Sequence, residues 1–254
     1  MDETQIIKAR LKDLAAKAYK QNIYTYSSFL NLSELDILED VKHELSYVDI
    51  STYGGGAVCE RQMVRFGSFE MFGYESQWPI NIILAEPVLE KFSDELSHRD
   101  FLGALMNLGL ERSVMGDILV KENKRAYIFC QDNIAEFIAD NLSKIRHTNV
   151  KCTILPVGED IEDLKPQLED MSLIVAAPRF DAIVAAAAKL SRSESVNLFR
   201  AKKITLNGRI NENNSMLLKD GDVFSVRGYG KFLFCGAGGE TRKGRQYVHL
   251  KRYK

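Results

Sequence analysis

Apolar residues recur at helical spacing from Ile6 and Ile7 through Leu11, Leu14, Ala15 and Ala18, with Lys and Arg between them. This period predicts a helix over 2–20. Asn31 or Ser33 is placed to cap a second helix running through Glu44. Val48–Tyr53 reads as a strand entering Gly54-Gly55-Gly56, which is followed by Ala57-Val58-Cys59-Glu60-Arg61. A clearer rhythm follows between 80 and 155. Ile80–Leu84 reads as a strand, and Arg99–Leu108 as a helix stopped at Gly109. Ile118–Lys121 and Arg125–Cys130 flank Glu122-Asn123-Lys124 as a hairpin. Asp132 caps a helix with Ile134, Phe137, Ile138 and Leu142 on one face, and Val150–Leu155 closes the series as a strand. The order β-α-β-β-α-β is that of a ferredoxin-like split βαβ unit.

Residues 156–170 hold Pro156, Gly158, Pro166 and six acidic residues, the composition of a linker. After the apolar run Leu173–Ala177, Phe180, Ile183, Val184 and Ala187 form the stripe of a packed helix. Ser191-Arg192-Ser193-Glu194 is a capping box opening a second helix, with Val196 and Phe199 expected inward. Arg200, Lys202 and Lys203 at its end are favoured by the helix dipole, a structural reason for them that needs no ligand. Ile204-Thr205-Leu206 reads as a strand, Asn207-Gly208 as a hairpin turn, and Asp220-Gly221-Asp222 as a turn into the strand Val223–Arg227. The predicted class is therefore α+β. It comprises a small N-terminal region over 1–75, a ferredoxin-like middle domain over 76–165, and a helical hairpin with a small antiparallel sheet over 171–254.

Composition changes this picture through charge. The whole chain of 254 residues has a net charge of −1, yet residues 179–254 hold 16 Lys and Arg against 6 Asp and Glu. That tail carries +10 and the preceding 178 residues −11, so the tail is expected to meet a polyanion, most simply nucleic acid. Its basic residues are dispersed among strands and turns, unlike a membrane-docking helix. No apolar run approaches the ~20 residues that span a bilayer. The four cysteines, Cys59, Cys130, Cys152 and Cys235, lie far apart and read as reduced thiols of a cytoplasmic protein. No metal or cofactor is expected.

Arg192 and Arg200 are eight residues apart, about 80° around an ideal helix axis and two turns along it. Both can face one rod-like ligand while the opposite side packs. Arg179, Lys203, Arg209, Arg227, Lys231, Arg242, Lys243 and Arg245 add further cations at intervals suited to phosphates.

The series Arg179-Phe180-Asp181, Ser191-Arg192-Ser193, Arg200, Asn207-Gly208 and Asp220-Gly221-Asp222 resembles the S-four RNA-binding domain, with a core match over 179–226. Phe180 stands where leucine is usual, and Lys202 where glycine usually ends the second helix. Elsewhere, Gly54-Gly55 with Glu60-Arg61, Leu96 through Leu105, Met115-Gly116-Asp117-Ile118-Leu119-Val120 and Gly239 through Arg245 are similar to the YlmH family of bacterial proteins. The resemblance implies an RNA-binding middle domain and a protein that binds large-subunit ribosomal RNA, with peptidyl-tRNA as a second RNA, in quality control of stalled nascent chains; a monomer without enzymatic activity is expected. The implied RNA-binding set is Arg179, Ser191, Arg192, Ser193, Arg200, Lys202, Lys203, Asn207, Arg209, Arg227, Tyr229, Lys231, Arg242, Lys243 and Arg245. His98 and Arg99 of the middle domain are further candidates.

Sharper readings compete with these. His98-Arg99-Asp100 is not a kinase loop, because Leu105 stands where Asn is required. A structural role, with Asp100 starting a helix and orienting Arg99, is preferred. No Lys-Ser/Thr follows Gly54-Gly55-Gly56 at phosphate-loop spacing. Arg179-Phe180-Asp181 resembles the aspartate motif of pseudouridine synthases, but Pro178 precedes it and it opens the RNA-binding helix, so Asp181 is read as a partner for a nearby arginine or backbone donor. Tyr24, Tyr26, Phe29 and Phe232 are expected in the core, and Tyr229 exposed. The alternatives are an RNA-modifying or RNA-cleaving enzyme with residues 1–178 as its catalytic part, and an interaction adaptor in cell division.

Overall fold

A computed structural model describes residues 2–56, 59–156, 161–165 and 167–253. Ala57, Val58, and Gly158 and Pro166 of the expected linker lie outside these. The fold is α+β, and it divides into two compact units, Met1–Leu164 and Lys165–Lys254.

In the first unit, α1 (Glu3–Gln21) buries Leu11, Ala15 and Ala18, the apolar stripe of the sequence. It packs with α2 (Leu32–Val41), whose start is closed by a capping box between Asn31 and Glu34. Three short strands, β1 (Thr25–Tyr26), β2 (Ile50–Tyr53) and β3 (Met63–Phe66), form an antiparallel sheet with β3 central, followed by the single turn α3 (Phe69–Phe72).

A second sheet holds β4 (Ile80–Pro87), β5 (Met115–Lys121), β6 (Arg125–Gln131), β7 (Lys144–Ile145) and β8 (Thr148–Pro156) in the order β5-β6-β4-β8-β7, all neighbours antiparallel. Helices α4 (His98–Asn107) and α5 (Ala135–Asn141) connect β4 to β5 and β6 to β8. This interleaves two split βαβ crossovers. Both helices contribute to one core with Ile83, Phe101, Leu105, Ile128 and Ile138. The β5–β6 connection is tight, with Glu122 and Asn123 both at φ 54°.

Two details differ from the sequence reading. Asp132 sits inside a 3₁₀ turn (Asp132–Ile134) that precedes α5, and is not its cap. That turn shifts the helical phase, so Ala135, Ile138 and Leu142 are buried while Phe137 is 45% exposed.

The motifs of the first 120 residues meet at one packing node. The Arg61 guanidinium donates to the backbone carbonyls of Phe29, Met115 and Arg112 at 3.0, 3.0 and 3.2 Å. An Asp117 carboxylate oxygen accepts the backbone N–H groups of Glu60 and Arg61 at 2.6 and 2.9 Å. Gly55 has φ +97°, and a Cβ there would lie 2.4 Å from the Phe129 ring. Gly116 lies equally close to Phe29 and Phe129. These residue types are demanded by close approach and by backbone carbonyls that need donors.

The second unit is a six-stranded sheet with a helical hairpin on one face. Its order is β11-β10-β12-β13-β14-β9, with β9 (Leu168–Val175), β10 (Ile204–Leu206), β11 (Arg209–Ile210), β12 (Val223–Val226), β13 (Gly230–Glu240) and β14 (Gln246–Tyr253). The expected linker through 170 gives way to β9 at Leu168. Its acidic residues lie opposite bases, Glu169 facing Arg252 and Asp170 facing Lys251. Cross-strand pairs of that kind favour the strand. Helices α6 (Phe180–Ala187) and α7 (Arg192–Arg200) pack Phe180, Ile183, Val184 and Phe199 onto Ile204, Phe224, Phe232, Val248 and Leu250. The Phe180 ring meets Phe199 and Phe224 edge-on at 5.0 and 5.3 Å, so phenylalanine serves where leucine is usual. In α7 the inward positions are Ser195 and Phe199, and Val196, expected inward, is only half-buried. Ser195 occupies that place because its hydroxyl donates to the Asp181 carbonyl at 2.8 Å.

Candidate nucleic-acid interface

The start of α6 and the start of α7 meet at Asp181. Its side chain is 2% exposed, while those of Arg179 and Arg192 are 41% and 56% exposed. One carboxylate oxygen accepts Arg179 Nε–H at 3.2 Å and the Ala182 backbone N–H at 3.0 Å. The other accepts Arg192 Nε–H at 3.0 Å and Arg179 Nη2–H at 3.4 Å. The Asp181 backbone N–H donates to the Asn214 carbonyl. A buried anion thus grips two guanidinium groups by their inner edges, and the outer N–H groups of a half-exposed arginine remain available to solvent or an anionic ligand.

Ser191 and Ser193 shape this corner. The Ser191 hydroxyl accepts Glu194 N–H at 3.3 Å, the Glu194 carboxylate accepts Ser191 N–H at 2.8 Å, and the two serine hydroxyls are 3.1 Å apart. The Ser191 hydroxyl and backbone N–H hold the Glu194 carboxyl below its ordinary value. Both ends of the Asn207 amide are likewise engaged, donating to Asp222 at 2.8 Å and accepting Val223 N–H at 2.9 Å. Ser191 and Asn207 therefore hold the module's shape.

Arg200 is exposed at the end of α7. Lys203 and Arg227 are brought side by side, Arg227 N–H donating to the Lys203 carbonyl at 2.9 Å. Lys202 takes φ 55° and pairs with Glu212 at 3.4 Å. The helix still ends in the left-handed turn that glycine would supply, since Lys203 and Lys202 N–H groups bond back to the Leu198 and Phe199 carbonyls. Tyr229 is 39% exposed in the β12–β13 turn, as its flanking glycines suggested.

The structure does not gather every expected residue into one patch. Arg209 lies on β11 at one sheet edge. Arg242, Lys243 and Arg245 form the tip of the β13–β14 ribbon, separated from Tyr229 by the eleven residues of β13 and thus about 35 Å away. Lys231 stacks over the Tyr253 ring at 5.3 Å. His98 and Arg99 belong to α4 in the first unit, where burial and then the Arg112 charge depress the His98 pKa. Asp100 turns back to Ser97 N–H and Oγ–H at 2.8 and 2.6 Å and pairs with Arg146 at 3.8 Å, so it caps α4 and does not orient Arg99. Consecutive helical side chains diverge by about 100° and do not face each other. Tyr24 and Phe29 are buried and Tyr26 is half-buried.

Burial lifts the thiols of Cys130 and Cys152 to about 12 and about 11, so both are neutral at ordinary pH. Among the described residues no helix is long and apolar enough to cross a membrane, and no group of three or more His, Cys, Asp and Glu side chains is placed to hold a metal.

Strand β14 escaped the sequence reading. Its signal is the alternation of Val248 and Leu250 with Tyr247, His249 and Lys251.

A family model described as "Putative RNA-binding domain in YlmH" matches residues 81–159. A relative from Bacillus subtilis (strain 168), ribosome-associated protein quality control protein P2, is 30% identical over 162 residues, which cover 63% of this chain and 61% of the relative. The chain thus spans about three-fifths of that relative's length. A solved structure, cell division protein ylmH from Streptococcus pneumoniae, is 22% identical and covers 63% of this chain and 96% of that one, with a TM-score of 0.49, too slight a likeness to weigh. The family model thus lies across the second sheet of the first unit, and over that part the chain is similar to the YlmH family.

Proposed function

We propose that this protein is an RNA-binding factor of the ribosome that grips double-helical RNA through the Arg179–Asp181–Arg192 corner and the cations at the end of α7. The carrying observation is the buried Asp181 carboxylate, which fixes two half-exposed guanidinium groups on two packed helices. Fixed guanidinium forks suit phosphate oxygens, and ordering them before binding lowers the entropy lost on association. Arg200, Lys203 and Arg227 extend the contact along a stem. Arg242, Lys243 and Arg245 reach a second point on the RNA. Recognition is of shape, because the deep groove of A-form RNA is closed to side-chain readout.

Two likenesses support the ribosomal setting. The family model over 81–159 bears the name of an RNA-binding domain, and the Bacillus relative is named for ribosome-associated quality control. On this reading the RNA is that of the large subunit, with peptidyl-tRNA as a further contact, and the protein acts in the cytoplasm by binding and not by catalysis. His98 and Arg99 would add a contact from the first unit.

Reversing Arg192 and Arg200 together to Glu tests the proposal. The expected result is loss of co-sedimentation with large ribosomal subunits by a variant that stays folded, at a lowered thermal midpoint because Arg192 pairs with the buried Asp181 carboxylate. Undiminished co-sedimentation of the folded variant overturns it.

A further inference from the structure

The second unit has two faces, and the corner described above lies at the helical one. On the other face, strand alternation places Tyr247, His249, Lys251 and Tyr253 of β14 outward, because Val248 and Leu250 between them are buried beneath α6 and α7. The pairing registers extend this outward row across the sheet. Ile174 lies opposite Tyr247, Ser172 opposite His249, Asp170 opposite Lys251, and Leu168 opposite Tyr253 on β9. Leu233 lies opposite Lys251 on β13. Neither helix covers these positions: Tyr247 is 39% exposed, Ile174 is 50% exposed, and His249 and Ser172 are exposed.

We propose that this outer face is a stacking platform for single-stranded RNA, with bases laid on Tyr247, His249 and Tyr253 and phosphates met by Lys231 and Lys251. The inference rests on the functional reading above only in taking RNA as the ligand. It assigns a separate surface and a separate class of RNA.

Four observations carry it. First, the rings stand along one line, Tyr247 and His249 about 6.8 Å apart and Tyr253 about 13.6 Å further on past Lys251, spacings that suit the bases of an extended chain. Second, the rings are set in place. A Cβ on Gly238 would lie 2.9 Å from His249 Nε2 and 3.3 Å from Tyr247 Cβ, so these side chains lean over a glycine. Ser172 Oγ sits 3.3 Å from His249 Nδ1 and fixes the imidazole's direction.

Third, cations are interleaved with the rings. Lys231 lies over Tyr253 at 5.3 Å, and Lys251 falls between His249 and Tyr253. Fourth, the charge is one-sided. Residues 240–253 hold five Lys and Arg against the single acid Glu240, Asp170 of β9 opposes only Lys251, and the Arg242-Lys243-Arg245 tip opens one end of the ribbon. An apolar protein partner would find its contact broken by these cations, whereas an RNA strand offers a phosphate for each ring it stacks on.

Fluorescence anisotropy of the full chain tests this with two labelled probes, an unstructured eight-nucleotide RNA and a hairpin stem closed by a short loop. Replacing Tyr247 and Tyr253 together by Ala should weaken the unstructured probe at least tenfold and leave the stem unchanged. The Tyr247→Phe, Tyr253→Phe double variant should restore binding, because it keeps the rings, and this separates stacking from misfolding. Arg192→Glu with Arg200→Glu should do the reverse, weakening the stem alone. Equal affinity of wild type and the Ala double variant for the unstructured probe overturns the proposal, as does failure of that probe to bind while the stem still binds. Binding of the unstructured probe without any stem binding supports the platform and sinks the helical corner instead.

Discussion

Asp181 is an anion in an almost wholly buried place, and its two arginine partners are its only charged company among the described hydrogen bonds and ion pairs. Replacing it by Asn keeps the shape but removes the charge that holds both guanidinium groups. Charged hydrogen bonds of this kind contribute roughly 1.5–3 kcal/mol each in loss experiments. The partners here are half-exposed, so Asp181→Asn should lower unfolding stability by about 2 kcal/mol in urea titrations and weaken stem RNA binding at the same time. Lowered stability with undiminished RNA affinity would mean that arginine orientation does not matter.

Tyr127 gives a pH-dependent counterpart in the first unit. Burial, with its hydrogen bond to Asp163 at 2.8 Å, pushes the phenol up to about 12. A raised acid pKa stabilises the fold fully below the unfolded value of about 10, and that contribution is lost as pH rises through 12. Thermal midpoints should therefore fall between pH 10 and 12, and Tyr127→Phe should flatten that part of the profile.

At the scale of elements, the two C-terminal helices are each closed by a lysine in the left-handed region, Lys189 at φ 56° and Lys202 at φ 55°. Side chains with a Cβ are strained there, by about 1 kcal/mol or more. Lys202→Gly should raise stability by about 0.5–1 kcal/mol in calorimetry. Its exposed ion pair with Glu212 contributes too little to offset the relief. A fall in stability would show that this ion pair outweighs the strain.

Elements with a strong local signal were legible in the chain. The stripe of α1, a cap at Asn31 or Ser33, of which Asn31 is the one used, and the capping box at Ser191 each satisfy their own backbone groups within a few residues. Strands β9 and β14 were not read as a pair, because each needs the other. The acidic run at 168–170 looks like a linker until Lys251 and Arg252 lie across from it. The phase of α5 was misjudged for a similar reason, since a 3₁₀ turn of three residues rotates every position after it.

For the whole molecule, the decisive quantity is the separation of charge, +10 over residues 179–254 and −11 before them. If six cations meet phosphates, log K for stem RNA should fall with log salt at a slope of about −4 to −5. Arg192→Glu with Arg200→Glu should make that slope shallower by about two contacts' worth. A slope near zero would show that the cationic surface is not what holds the RNA.

The chain alone determined the class of fold, the helical hairpin of the second unit and its excess of positive charge, because hydrophobic period, caps and charge are local or additive properties. Only the tertiary structure decided which arginines share a buried carboxylate, that Asn207 is tied to Asp222 and Val223, and that one face of the second sheet carries a row of rings. Such facts depend on register and on contacts between residues distant in sequence, and a one-residue slip in register would turn Tyr247 and Val248 to opposite faces.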